Sequence, residues 1–262
     1  MQSVRAGNSQ EKGGLVEIST STGWQDIGDE IHVWHASLDR EASAICELEG
    51  VLSAEEKVRA DQFHFAKDRN RYVIARGLLR ELLGAYLQQT PTSIEFSYAQ
   101  HGKPFLGGAN SSSGLNFNLS HSGDMVAYAI ARERNLGIDV ELMRPDLAGD
   151  DIAERYFSAR EVNDLRTLPP EKRVEGFFNC WTRKEAYLKA TGMGLHIALD
   201  SFAVNLLPVQ PVEFLSGVEA KWHLAAHCPA ESYAAAVVYD GAPCAIRYFS
   251  ADNMARHQTK IS

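Results

Sequence analysis

Apolar residues recur along this chain with two periods. Over 68–87 they return every three to four positions, as at Val73, Ile74, Leu78 and Leu79, which is the period of a helix with a buried face, and a second long helix is expected over 175–191. Short runs rich in β-branched and aromatic residues read as strands at 94–98, 115–120, 125–132 and 136–141, and again at 202–206, 222–226, 233–239 and 245–249. Helix followed by strands therefore occurs twice. The two passages share a local signature: Ser53 with Glu56, and Ser158 with Glu161, each spell a capping box, in which serine accepts from an early backbone N–H and glutamate reaches back.

This pattern predicts an α+β fold of two similar halves, each an antiparallel sheet packed with a long helix and related by a pseudo-twofold duplication. The halves are expected at 30–142 and 143–255, with a flexible tail and lead-in at 1–29, most polar over 1–14, and a second tail at 256–262. One α+β domain with chance internal similarity is the alternative.

Composition narrows the function classes. A chain of 262 residues that is 45% hydrophobic and 23% charged has material for a sizeable core, which excludes disorder, collagen and coiled coil as the overall class. Its net charge of −8 gives no global attraction to nucleic acid or to an anionic membrane, so a basic site must be local. Cys46, Cys180, Cys228 and Cys244 form no C-x-x-C pair, and no apolar run approaches a membrane span, so a cytoplasmic protein in a reducing compartment is expected.

Four segments could carry chemistry. In Gly137-Ile138-Asp139-Val140-Glu141, strand alternation sends both carboxylates to one face, a pair suited to a hard cation such as Mg²⁺ or, as a plain alternative, to a solvated surface. In the segment from Trp181 to Gly194, helical spacing gathers Trp181, Lys184, Glu185, Leu188 and Lys189, and the apolar pair argues against a fully wet face. Phe117-Asn118-Leu119-Ser120-His121-Ser122-Gly123 runs from a strand into a turn. It has no G-x-S-x-G elbow, so hydrolysis by a serine nucleophile is poorly supported, but Ser120 and His121 can bind phosphate. Between 57 and 80 seven bases face two acids, with Arg71, Arg76 and Arg80 suited to phosphate, and Lys103 adds a cation in Gly102-Lys103-Pro104. His223 and His227 lie too far apart on a strand to chelate one ion, and His32 and His35 remain unassigned.

Together, G-K-P, F-N-L-S-H-S, G-I-D-V-E and W-T-R-K-E-A-Y-L-K-A-T-G-M-G, in that order, resemble the 4′-phosphopantetheinyl transferase superfamily, most closely its larger pseudo-dimeric type that activates peptide and polyketide synthetases. The resemblance implies transfer of phosphopantetheine from coenzyme A to a serine of an apo acyl, peptidyl or aryl carrier protein, releasing 3′,5′-ADP. It implies Asp139, Glu141 and Glu185 as ligands of Mg²⁺ (or Mn²⁺), Glu185 as general base, and Lys189 with Lys184 on the diphosphate. Ser120, His121, Lys103 and Arg71 or Arg76 are then expected around the coenzyme. Where the family carries phosphate lysines near its N-terminus, this chain has Glu56 and Arg59. A monomer is expected, because a duplicated chain supplies its own interface. A Mg²⁺-dependent phosphohydrolase acting on a coenzyme A-like diphosphate, or a noncatalytic coenzyme A or carrier-binding module, are the competing readings.

Overall fold

The computed structural model describes residues 25–100, 102–207 and 212–252; the tails expected at 1–14 and 256–262 lie outside the described residues. The first sheet contains β1 (Ile31–Ser37), β4 (Leu115–Ser122), β5 (Met125–Arg132) and β11 (Ile246–Ser250) in the order β11-β1-β5-β4, and the second contains β6 (Leu136–Leu142), β9 (Trp222–His227) and β10 (Tyr233–Asp240) in the order β6-β10-β9. Two small ribbons complete the strands: β2 (Phe96–Tyr98) with β3 (Pro104–Leu106), and β7 (Ala203–Val204) with β8 (Phe214–Ser216). The helices are α1 (Ala42–Gly50), α2 (Ala54–Asp61), α3 (Ala66–Leu87), α4 (Asp150–Tyr156), α5 (Ala159–Thr167) and α6 (Pro170–Thr191).

Three apolar clusters explain the layering. One joins α3 to the first sheet through Trp34, Phe117, Tyr128 and Ile130, and another joins α6 to the second sheet through Ala234, Ala236 and Val238. The third lies between the sheets, where Ile31, Val33, Ala127 and Ala129 meet Ile138, Val140, Ala235 and Val237. The order is helix, sheet, sheet, helix. Sheet β5 residues are therefore covered on both faces, which is why Met125–Arg132 reads as a continuous apolar run without polar alternation.

Pairing crosses the sequence division in two places. β6 hydrogen-bonds antiparallel to β10, and β11 returns to lie parallel to β1, so the first sheet is mixed where an antiparallel one is expected. Strand runs in sequence carry no label for their partners, and the buried faces of β1 and β6 are what select them.

Both capping boxes form, and each is fastened to a long helix. Ser53 Oγ accepts from Glu56 N at 3.3 Å, while Glu56 takes Arg76 Nε at 2.5 Å and Arg80 Nε at 2.6 Å from α3. Ser158 Oγ accepts from Glu161 N at 3.3 Å, and Glu161 takes Lys184 Nζ at 2.8 Å from α6.

Candidate active site

The acids expected on β6 meet α6 because of a glycine. A Cβ added at Gly137 would lie 2.2 Å from Ala186 O and 2.3 Å from Ala190 N, so only glycine lets the helix settle this closely on the strand. Small neighbours on β10 assist, with Ala236 opposite Asp139 and Ala234 opposite Glu141. Glu185 and Lys189, one helical turn apart on α6, thereby face Asp139 and Glu141 on β6.

Asp139 is 3% exposed and carries two different oxygens. Its Oδ1 accepts from Lys189 Nζ at 2.6 Å and from Ser120 Oγ at 2.8 Å, and Lys189 also donates to Ser120 Oγ at 2.8 Å. Its Oδ2 is buried with no hydrogen-bond partner, a costly state for a carboxylate oxygen unless something else meets it. Glu141 accepts from Ser122 Oγ at 2.5 Å. Burial, then the Asp139 charge, push the pKa of Glu141 up against the opposing pull of its Ser122 bond, and Glu185 is raised by burial and by Asp139 and Glu141. Three mutually repelling carboxylates therefore share one cleft with one ammonium.

This donor set fits a hard divalent cation: oxygen ligands, excess negative charge, and an orphaned carboxylate oxygen. Among the described residues no three His, Cys, Asp or Glu side chains already stand close enough to cage an ion unaided. A cation here would accordingly complete its shell with oxygens from substrate or water, as Mg²⁺ ordinarily does.

The phosphate candidates divide. Burial and the positive charges of Lys189 and Arg71 lower the pKa of His121, which places these three side chains in one neighbourhood. Arg71 Nη2 donates to Asp124 Oδ1 at 2.5 Å, and the Asp124 N–H in turn donates to Tyr233 OH at 3.2 Å, so an aspartate on the β4–β5 turn holds the arginine. Lys103 reaches the edge of the site differently. Its Nζ donates to Lys189 O at 2.6 Å and Leu136 O at 3.1 Å, tying the end of α6 to the start of β6, and burial lowers its pKa to about 8.

Two expected residues are elsewhere. Lys184 is fully buried, and its three N–H donors go to Glu161 Oε2, Leu199 O at 2.7 Å and Phe202 O at 2.6 Å, leaving none for a diphosphate. Arg76 is buried over the Phe96 ring, with its Nε on Glu56 and its Nη2 on Tyr98 OH. Both are structural fasteners of the capping glutamates. Two contributors escaped the sequence reading as site residues, Ser122 and Asn118, whose Oδ1 accepts from Ile138 N at 2.9 Å; the polar alternation of β4 was their only signal.

The chain resembles known proteins along most of its length. The pattern defining the 4′-phosphopantetheinyl transferase superfamily matches residues 135–238, and that of the 4′-phosphopantetheinyl transferase N-terminal region matches 34–133. The 4′-phosphopantetheinyl transferase HetI of Nostoc sp. is 40% identical over 215 residues, covering 82% of this chain and 90% of that protein. A 4′-phosphopantetheinyl transferase of Bacillus subtilis is 32% identical over 176 residues, covering 66% of this chain and 76% of its own. Among solved structures, a holo-(acyl-carrier-protein) synthase of Bacillus anthracis in complex with CoA (3′,5′-ADP) is 25% identical and covers 42% of this chain and 96% of its own, with a TM-score of 0.37.

Proposed function

This chain belongs to the 4′-phosphopantetheinyl transferase superfamily, and from that premise we propose that it transfers phosphopantetheine from coenzyme A to a carrier-protein serine. The serine Oγ forms a bond to the β-phosphorus of coenzyme A, the bond to the bridging oxygen breaks, and 3′,5′-ADP leaves. The observation that carries the reading is the cleft of Asp139, Glu141, Glu185 and Lys189, with an unpartnered buried oxygen on Asp139.

Phosphoryl transfer asks a protein chiefly for positioning and neutralisation of charge. Asp139, Glu141 and Glu185 would hold Mg²⁺ or Mn²⁺, which when bound supplies Lewis-acid neutralisation of the diphosphate. Lys189, anchored on Asp139 and Ser120, brings an ammonium to the same cleft. His121 and Arg71 bind coenzyme phosphates, and Lys103 sets the nucleotide-side edge through its hold on α6. Glu185 makes no hydrogen bond that would occupy it among those described, and takes the serine proton directly or through water.

We also propose that the two sheets are duplicated units with the junction ahead of β6, in place of the boundary at 142/143 expected from the sequence, because β6 pairs with β10. Register supports this: Trp34 lies opposite Tyr128 as Asp139 lies opposite Ala236, so Trp34 and Ala36 stand where the second unit has Asp139 and Glu141. The chain then carries one acidic cleft, and works as a cytoplasmic monomer. No described helix is long and apolar enough to cross a membrane.

The test is intact mass spectrometry of an apo carrier protein incubated with coenzyme A, Mg²⁺ and the protein. A phosphopantetheine-sized gain that requires metal and Asp139 is expected. Loss of coenzyme A without carrier modification would replace transfer by hydrolysis.

A further inference from the structure

β4 and β6 belong to different sheets, so no backbone ladder fixes one against the other. Alternate side chains of β4 do so instead. Asn118 Oδ1 accepts from Ile138 N, Ser120 Oγ donates to Asp139 Oδ1, and Ser122 meets both Glu141 and Leu142. The spacing of two residues matches the alternation of both strands, which brings Asn118, Ser120 and Ser122 in turn to β6, the two serines onto its acids.

The proton on Ser122 has only one place to go. The Leu142 N–H must donate, at 3.1 Å, so Ser122 Oγ is the acceptor in that bond. Its single hydrogen is then committed to Glu141 Oε2 at 2.5 Å. The bond holds one oxygen of Glu141 and leaves the other outside it. Ser120 does the same for Asp139, since Lys189 donates to its Oγ and its own hydrogen goes to Asp139 Oδ1, while Oδ2 has no partner.

We propose that Ser122 is a positioning residue for the transfer reaction: it orients the Glu141 carboxylate so that its other oxygen is presented to the divalent cation. This rests on the reading of the cleft given above. A hydroxyl behind a ligating carboxylate sets its rotation, and loss of such an outer partner ordinarily costs ten- to a hundredfold in metal affinity.

The experiment is titration with Mn²⁺ alone, followed by electron paramagnetic resonance of the free ion, on the full chain with coenzyme A at fixed pH. The parent, Ser122→Ala and Ser122→Thr are compared. Ser122→Ala is expected to bind Mn²⁺ about tenfold more weakly with an unchanged thermal melt, while Ser122→Thr, which keeps the hydroxyl, stays within about threefold of the parent. Coenzyme A affinity measured without metal should be the same in all three. Parent-like Mn²⁺ binding by Ser122→Ala overturns the role of Ser122 and leaves the transferase reading standing, as does a Thr variant as weak as the Ala one. A parent that binds no Mn²⁺ overturns both the metal reading and this proposal.

Discussion

Lys184 and Lys189, five residues apart on α6, show how helix geometry separates two roles. Successive side chains are turned by about 100°, so Lys189 joins Glu185 against β6 while Lys184 enters the interior beside Glu161 and Phe202. Helical spacing alone grouped them, because it reports one amphipathic face and α6 is covered on more than one. Lys184→Met should therefore unfold the protein more readily, by about 3 kcal/mol for a broken buried pair, yet leave transfer by the folded fraction intact at low temperature; denaturant titration beside the mass assay separates the two. Asp139→Ala should do the opposite, losing transfer by at least about a hundredfold with little change in melting. The grouping of the three acids with Lys189 was legible from residue type and motif, whereas Ser120, expected on the coenzyme phosphates, is bonded to Asp139 and Lys189. Arg76 was not legible, since a helix face of arginines looks the same whether its partner is a phosphate or a buried glutamate.

Elements were legible where local chemistry specifies them. The capping boxes start α2 and α5 at the expected serines, and Gly192 ends α6 in the left-handed conformation at φ 69°. Short elements such as α4 and β8 have no comparable signal, although β7 falls within the run expected at 202–206. The contact between α6 and β6 depends on Gly137 to a degree that no periodicity reveals. Gly137→Ala is expected to lift the helix from the strand and reduce kcat by about tenfold or more, because misplacement of about 1 Å at a reacting centre can cost a hundredfold. A variant with parent-like kcat would show that the helix does not set the cleft. Lower in the hierarchy, Ser158→Ala should cost about 1 kcal/mol of stability, read from the shift in denaturation midpoint, with transfer preserved.

At the scale of the whole molecule, the relation between sheets was hidden, because the sequence shows which runs are strands but not which edges they seek. One fastener between the sheets is unexpected: His35 Nε2 of β1 and His227 Nε2 of β9 lie 2.8 Å apart, His35 buried and His227 half-buried, with Asp252 the charged group that favours His35 protonation. Burial holds His35 at about 4 and His227 well below 6.5, so the unfolded chain takes up protons first as pH falls. Stability should be full above about pH 6.5 and decline towards pH 4, by about 3 kcal/mol for His35 alone. Denaturation series across that range check it, and a flat profile would contradict the coupling. The parallel seat of β11 beside β1 has a further consequence, for synthesis. A ribosome delivers Ile31–Ser37 more than two hundred residues before Ile246–Ser250, so the nascent chain must keep one edge of β1 open until β11 emerges. Birth order and assembly order are thus opposed, and this is a protein that completes its first sheet last.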